Sequence, residues 1–311
     1  MHRIYKPRAL RPGDSIAVIS LSSPAEREKT EAGIRELTML GFNPLAGKVL
    51  ESEGYFSAPA SDRLAQLLDG LSDERASALI ALRGGYGSTY LLDALQHANM
   101  GPAKPIVGYS DITALQIFLW QTLGWVTFYG PMVAAGFDAG AGNPRGYDMA
   151  SFLRAITETQ ASWTLELEGS TLVEGEAEGV LVGGCLTLVE TTLGTPWELD
   201  SSGAILVLED RAMKPWQVDR ALMHLKQCGK LEGVRGILLG DFPECEPPVK
   251  GSPTVLDVCQ RTFGSLKVPV VWGAPVGHTA RPMLTLPLGV RARLRATGAS
   301  FLDILEPAVV Q

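Results

Sequence analysis

Four places in this chain combine a reactive side chain, or a set of exposed backbone donors, with a setting that could use it. The first is Ser110, within Pro105-Ile106-Val107-Gly108-Tyr109-Ser110-Asp111-Ile112-Thr113-Ala114-Leu115. An apolar run stops at Gly108, and helical spacing starts at once after the serine. Ile112, Leu115, Phe118 and Leu119 form one stripe of a helix from Asp111 to about Gln121. A serine at such a junction can turn its hydroxyl outward, and the unpaired N–H groups of the helix start can receive an oxyanion. Gly108 occupies the first glycine place of a nucleophile elbow, whereas Ile112 replaces the second. The same residues also describe a plain N-cap serine in a turn. The second place is Arg83-Gly84-Gly85-Tyr86-Gly87-Ser88, which follows the apolar run Ala78–Leu82. Its N–H groups could cradle a phosphate, yet it lacks both the Gly-x-Gly-x-x-Gly spacing and Gly-Lys-Ser/Thr. A tight structural turn, or a set of donors facing the crevice of Ser110, are the other readings.

The third and fourth places are Glu209 and His278. Glu209 ends the apolar run Ala204–Leu208 and is either a boundary carboxylate facing water or a partner for a histidine. His278 alone of the four histidines sits in a Gly-His turn at the end of a strand; His2 is terminal, and His97 and His224 lie in or near helical segments. An imidazole with a near-neutral pKa is the general base that a serine needs. Glu209 could hold its other nitrogen, which completes a triad in the order Ser, acid, His. Cys185, beside Gly184, reads as a buried or lining thiol rather than a nucleophile. There is no HExxH, and the cysteines lack ligand spacing, so neither a metal nor a cofactor is expected. Trp197, Trp216 and Trp272 could stack on a base, although core packing is the commoner use of tryptophan.

The elements that must position these residues alternate strand and helix. Asp14–Ser20 is a strand, followed by a helix from about Pro24 to Leu40, with Ser22 or Ser23 as cap and Gly41 as stop. Strands at Phe42–Val49, Ala78–Leu82, Ile106–Val107 and Val126–Phe128, with a helix at Ala60–Leu71, predict a parallel sheet with helices on its faces. Ligands bind beyond the carboxyl ends of such strands. Tyr147–Thr157 is a short helix, and the alternation of Trp163–Glu168 opens a second domain. There, Gly183–Val189 starts a helix, Ala204–Leu208 and Val234–Leu239 are strands, and Gln217–Gln227 and Val255–Phe263 are helices. A short strand lies within Val268–Gly273, and β segments follow at Met283–Leu286 and Gly289–Leu294. The fold class expected is α/β in two domains. Residues 1–165 form an open parallel sheet flanked by helices and carry the nucleophile. Residues 166–311 form a smaller α+β domain rich in short strands and carry the acid and the histidine.

Bulk properties narrow the partners. The chain has 311 residues, 46% hydrophobic and 20% charged, with a net charge of −7. That length suits two domains, and the acidic balance speaks against nucleic acid or an anionic membrane as partner. No uncharged apolar run of membrane-spanning length occurs, and no signal-peptide-like stretch follows the charged start. Cys185, Cys228, Cys245 and Cys259 are scattered without CxxC spacing and read as free thiols, so cytoplasm is the expected compartment.

Taken together, the Pro12-Gly13-Asp14 opening, Arg83–Ser88, Gly108–Leu115, Leu208-Glu209-Asp210 and Gly277-His278 resemble the LD-carboxypeptidase family of serine peptidases. That family includes muramoyltetrapeptide carboxypeptidases and microcin C immunity peptidases. The resemblance implies a triad of Ser110, Glu209 and His278 and an oxyanion hole from the N–H groups of Gly85 and Asp111. It implies an N-terminal domain with the nucleophile and a C-terminal domain that donates the acid and histidine across a groove. The implied substrate is a small peptide, a muropeptide tetrapeptide, cut through an acyl-enzyme at the amide joining an L-configured centre to a terminal D-alanine. Cytoplasmic recycling of cell-wall fragments and a homodimer are implied as well. Arg83 is the first candidate for the substrate carboxylate, with Gly84 beside it. Three departures from the family pattern bear on substrate choice. Tyr129 stands where histidine is usual, Cys185 where asparagine is usual, and Arg211–Trp216, with Met213 and Trp216, replaces a Gly-Glu segment with a downstream tyrosine. Hydrolysis of an aminoacyl or peptidyl nucleotide, as in the immunity type, therefore stays open. A non-catalytic two-lobe protein binding a sugar or nucleotide through the Gly84–Gly87 turn is the competing class.

Overall fold

Short apolar runs punctuated by glycine become parallel strands in the first half of the chain. They are β1 (Ser15–Ile19), β2 (Asn43–Ala46), β3 (Ala76–Ala81), β4 (Ile106–Gly108) and β5 (Thr127–Tyr129), with helices α1 (Arg27–Met39), α2 (Ala60–Ser72), α3 (Leu92–Leu95), α4 (Thr113–Leu123) and α5 (Met149–Thr157). The computed structural model describes residues 3–47 and 52–311, so the predicted strand end at Val49 lies outside the described residues. The second half holds β6 (Trp163–Glu166), β7 (Ser170–Val173), β8 (Gly175–Cys185), α6 (Leu186–Thr191), β9 (Ala204–Glu209), α7 (Pro215–Gln227), β10 (Gly236–Gly240), α8 (Val255–Phe263), β11 (Val270–Ala274), β12 (Leu286–Leu288), β13 (Arg291–Thr297) and β14 (Ala299–Ile304).

Two sheets result. The first has the order β12-β5-β4-β3-β1-β2, parallel except for β12, which returns from the C-terminal part to pair antiparallel with β5. The second runs β6-β14-β13-β8-β9-β10-β11-β7, with β8 to β11 parallel and the flanking strands antiparallel. This is a mixed α/β architecture whose C-terminal part is rich in strands. Burial explains the central strands: all six residues of β9 are buried, as a parallel strand covered on both faces requires. One apolar cluster joins residues of both sheets, from Ile16, Val107 and Phe128 to Leu181, Val207 and Leu294. Helix α4 is buried at every position from Thr113 to Leu119, so the helix behind Ser110 is gripped all round.

Two local expectations need correction. Helix α1 starts at Arg27 rather than near Pro24, because Ser22 and Ser23 are committed to other loops rather than to a helix cap. Gly183 does not start a helix; β8 continues through Gly183 and Gly184 to Cys185. A Cβ on Gly183 would lie 2.1 Å from the carbonyl oxygen of Val207. The glycines that look like a helix start are there to let β8 press against β9. Strands β7 and β14 also lie beyond what the sequence pattern marked.

Candidate active site

Ser110 sits at a strained corner. After β4 the backbone of Tyr109 is extended, Ser110 takes a left-handed φ of 63°, and a 3-10 turn over Ser110–Ile112 runs into α4. A non-glycine residue there costs about 1–2 kcal/mol, a strain that persists only where the surroundings enforce it. Missing Cβ atoms make room for it here. A Cβ on Gly108 would meet the Ile112 side chain at 3.0 Å, and one on Gly84 would meet Ser110 Cβ at 2.9 Å and Oγ at 3.0 Å. Ile112 at the second glycine place is therefore accommodated by packing onto Gly108. The Asp111 carboxylate is buried and turned away from the groove. Its Oδ2 accepts from Ser22 Oγ at 2.5 Å and from the Ser88 N–H at 2.8 Å, while the Ser88 hydroxyl donates to the Asp111 carbonyl at 2.6 Å. The loops after β1 and β3 are thereby tied to the corner after β4. Gly85, at φ 117°, packs against Ser23, whose hydroxyl accepts the Tyr86 N–H at 3.2 Å.

The second sheet supplies the acid and the imidazole. Glu209, fully buried at the end of β9, pairs in register with Cys185 at the end of β8. Its Oε2 accepts the His278 backbone N–H at 2.9 Å and meets His278 Nδ1 at 2.8 Å; its Oε1 accepts the Tyr129 hydroxyl at 2.5 Å. A carboxylate can only accept, so Nδ1 carries the proton and Nε2 is left for proton transfer. Burial pulls the His278 pKa down, but the charge and hydrogen bond of Glu209 outweigh it and the net shift is upward. Tyr109 packs its ring edge-on to His278, centroids 5.1 Å apart. Next door, burial and then the Glu209 charge raise the carboxyl pKa of Asp210, which accepts from the Thr187 N–H and hydroxyl and the Arg211 N–H. Burial, and after it the Asp210 charge, raises the Cys185 thiol pKa, so this sulfur stays protonated.

Ser110, His278, Arg83, Gly84 and Gly85 line one cavity of about 190 Å³. An adjoining cavity of about 460 Å³ shares His278, Tyr109 and Arg211 and adds Asp138, Arg145 and Glu244. Both open where the carboxyl ends of the two sheets' parallel strands meet. Among the described residues, no cluster of three His, Cys, Asp or Glu side chains could hold a metal ion, and no helix is long and apolar enough to cross a membrane.

Residues 16–130 match the LD-carboxypeptidase N-terminal domain, and residues 178–294 match the LD-carboxypeptidase C-terminal domain. The chain belongs to the LD-carboxypeptidase family. It is 36% identical over 294 residues to a Bacillus subtilis protein named probable murein peptide carboxypeptidase, covering 93% of this chain and 91% of that one. The structure of a muramoyltetrapeptide carboxypeptidase from Oxalobacter formigenes superposes with a TM-score of 0.81 at 30% identity, over 94% of this chain and 99% of that one. A microcin C7 self-immunity protein, solved in complex with aspartyl sulfamoyl adenosine, gives a TM-score of 0.87 at 25% identity, over 98% and 99% of the two chains. This LD-carboxypeptidase family member is thus a carboxypeptidase of the serine type.

Against the family pattern, the structure brings Ser110, Gly84, Gly85, Arg83 and His278 to one cavity, with Glu209 and Tyr129 behind the histidine. Cys185 is buried beside Asp210. Tyr129 is fully buried too, so neither it nor Cys185 lines a cavity, and two more predicted substrate residues lie elsewhere: Met213 packs partly buried near the Thr187 hydroxyl, and Trp216 is exposed in the first turn of α7. Neither lines the two cavities, because the segment after Glu209 turns and only Arg211 faces them. Trp197 packs edge-on to Phe118, and Trp272 stacks on Phe242. Sequence reasoning missed Tyr109 and Ser22 as parts of the site, and took in Ser88 and Arg211 only as members of stretches singled out for other residues. Tyr109 adjoins Ser110, which was the one available signal for it.

Two results follow from this geometry. If His278 is the base, activity requires its neutral form, so kcat/KM rises with pH through the raised pKa. The acid limb should lie above 6.5, the ordinary histidine value; a pH–rate profile with its limb below 6.5 would contradict this. Gly277 has a φ of 64°, and a Cβ there would lie 2.4 Å from Glu209 Cδ. Gly277→Ala should push the carboxylate off the imidazole and lower kcat by about 100-fold, the cost of a displacement near 1 Å. Steady-state kinetics on the folded variant measures it.

Proposed function

We propose that this LD-carboxypeptidase family member removes the terminal D-alanine from muropeptide tetrapeptides, with Ser110 as nucleophile, His278 as general base and then acid, and Glu209 as the carboxylate that orients it. The supporting observation is a serine held left-handed on the same cavity as an imidazole whose Nδ1 is fixed by a buried carboxylate. His278 Nε2 takes the Ser110 proton as Oγ attacks the scissile carbonyl. The N–H groups of Gly85 and Asp111 receive the oxyanion, each such donor worth about 3 kcal/mol in the transition state. The C–N bond breaks, the amine of the D-amino acid leaves with the proton from His278, and water resolves the acyl-enzyme by the reverse relay. The smaller cavity, with Arg83 on its wall, suits the leaving residue and its carboxylate. The larger one carries both signs of charge, Arg145 and Arg211 with Asp138 and Glu244, and suits the zwitterionic side chain of diaminopimelate.

In this reading the chain divides at residues 165 and 166 into a nucleophile-bearing part and an acid- and histidine-bearing part. It works as a cytoplasmic homodimer, and the four cysteines without a disulfide suit a reducing compartment. The test is D-alanine release from L-Ala-γ-D-Glu-diaminopimelate-D-Ala, against the same peptide ending in L-alanine. Release from the first alone is expected. No release, together with cleavage of an aminoacyl sulfamoyl adenosine, would replace the muropeptide with a nucleotide conjugate.

A further inference from the structure

One residue along the chain from Gly85, which lines the candidate catalytic cavity, begins a patch of four aromatic rings that line neither cavity and that the triad does not use. Tyr86 follows Gly85 directly, and around it stand Tyr55, Phe56 and Tyr90. The rings pack on one another: Tyr55 on Phe56 at 4.4 Å, Tyr55 on Tyr86 at 5.7 Å, Phe56 on Tyr86 at 5.8 Å, Phe56 on Tyr90 at 5.5 Å and Tyr86 on Tyr90 at 5.9 Å. Yet the tyrosines stay open to solvent, at 63% for Tyr55, 46% for Tyr86 and 56% for Tyr90. Single exposed aromatics are ordinary, whereas a contiguous set marks a binding surface.

The patch is built on a fixed support. Arg63 is fully buried beneath it, its guanidinium 4.9 Å from the Phe56 ring centre. That guanidinium donates to three backbone carbonyls: Ala58 at 2.9 Å, Leu21 at 2.5 Å and Gly87 at 2.7 Å. One buried cation therefore clamps the segment carrying Phe56, the loop after β1 and the glycine turn after β3. A Cβ on Gly87 would come within 2.5 Å of this guanidinium and 3.0 Å of the Phe56 ring, so the glycine lets the turn close over the clamp. The rings are held relative to the Ser110 corner, because the same β1 and β3 loops are tied there through Asp111.

The chemistry of the surface selects a ligand. No charged side chain belongs to the ring set, so a neutral partner suits it. The rings meet tilted or edge-on, apart from Phe56 and Tyr86, which are already stacked on each other; no open parallel slot waits for a flat base. Ring faces flanked by three tyrosine hydroxyls instead match a pyranose, with an apolar C–H face and a rim of hydroxyl and acetamido groups. The sugar-bearing end of a tetrapeptide lies three residues from the scissile carbonyl, about 10 Å of extended chain, and Tyr86 is the residue next to the oxyanion-hole candidate Gly85.

We propose that Tyr55, Phe56, Tyr86 and Tyr90 form a subsite for the N-acetylated amino sugar attached to the peptide, which rests on the carboxypeptidase reading above and gives sugar-bearing peptides preference over free ones. The test has a binding arm and a kinetic arm. N-acetylmuramyl-L-alanyl-D-isoglutamine, which has no scissile D-alanine, is titrated into the full chain and into Tyr55→Ala and Tyr90→Ala, with L-alanyl-D-isoglutamine as the sugar-free comparison. The sugar-bearing probe should bind the native protein more tightly, and each ring removed should weaken it by roughly three- to tenfold. In kinetics, KM for muramoyl-tetrapeptide should lie below that for free tetrapeptide, and the two should converge in Tyr55→Ala and Tyr90→Ala. Tyr90→Phe, which keeps the ring, should retain most of the difference. Equal binding of the two probes by the native protein, or a preference that survives loss of both rings, would overturn the subsite. If the substitutions change the sedimentation of the protein and leave the preference intact, the patch belongs to a second copy of the chain. Absence of D-alanine release from either tetrapeptide would sink the carboxypeptidase reading instead, while the binding comparison still decides on the sugar.

Discussion

Ser110→Ala should lower kcat for D-alanine release by about 10⁴-fold or more, the scale on which loss of a triad nucleophile acts. The fold should not pay for it. Ser110 Oγ takes part in none of the hydrogen bonds that fix the corner, which run instead through Asp111, Ser22 and Ser88. The left-handed φ of 63° gives a sharper form of the same result. Ser110→Gly should be equally inactive yet more stable by about 1 kcal/mol, because glycine adopts that conformation without strain. Thermal melts of the two variants beside the native protein check this. A serine that merely capped a helix would give the reverse pattern, with stability lost and activity kept.

Glu209→Gln should be the second large effect. Replacing the orienting carboxylate of a triad by its amide costs about 10⁴-fold in kcat, and here the loss has a second source. Glu209 takes three donors, two from His278 on one oxygen and the Tyr129 hydroxyl on the other. An amide offers one accepting oxygen, so its NH₂ must face either the two His278 donors or the Tyr129 hydroxyl, whose oxygen can accept it only by turning its own proton away from position 209. A buried donor left unsatisfied costs about 1–3 kcal/mol, which should lower the melting temperature as well. The pH profile separates the two. Without the Glu209 charge, burial and Arg211 pull the His278 pKa down against the smaller influence of Asp210, so the acid limb of residual activity should move to lower pH. A limb that stays in place would show that Glu209 does not govern the histidine.

The triad candidates were legible because each stands where an apolar strand stops: Ser110 after Gly108, Glu209 at the end of Ala204–Leu208, and His278 in the turn after the strand at Val270. Strand ends are visible in a sequence, and the crevice beyond them is where ligands bind in an open parallel sheet. The partners that make the geometry hold were harder to see. Tyr129 reads as a family departure, and nothing in its neighbourhood announces that its hydroxyl meets Glu209, 80 positions away. Ser22 and Ser23 sit just before a proline and look like helix caps, a local reading defeated by tertiary bonds to Asp111 and Tyr86. Gly183 and Gly184 look like a helix start, since their real use, contact with Val207, Thr113 and Tyr129, depends on neighbours far away in the chain. Met213 and Trp216 become candidates only through a departure from the family pattern, which says nothing of the direction in which the chain leaves Glu209. In each case the missing information was a contact between residues far apart in the chain.

The central claim is that Ser110 carries the acyl group, and partition to an added amine tests it most directly. Native protein turning over the tetrapeptide in the presence of hydroxylamine should divert part of the tripeptide from free acid to hydroxamate, while Ser110→Ala yields neither hydroxamate nor D-alanine. D-alanine release from the native protein with no hydroxamate at any hydroxylamine concentration, or hydroxamate formed equally by Ser110→Ala, would contradict the acyl-enzyme and the role given to Ser110.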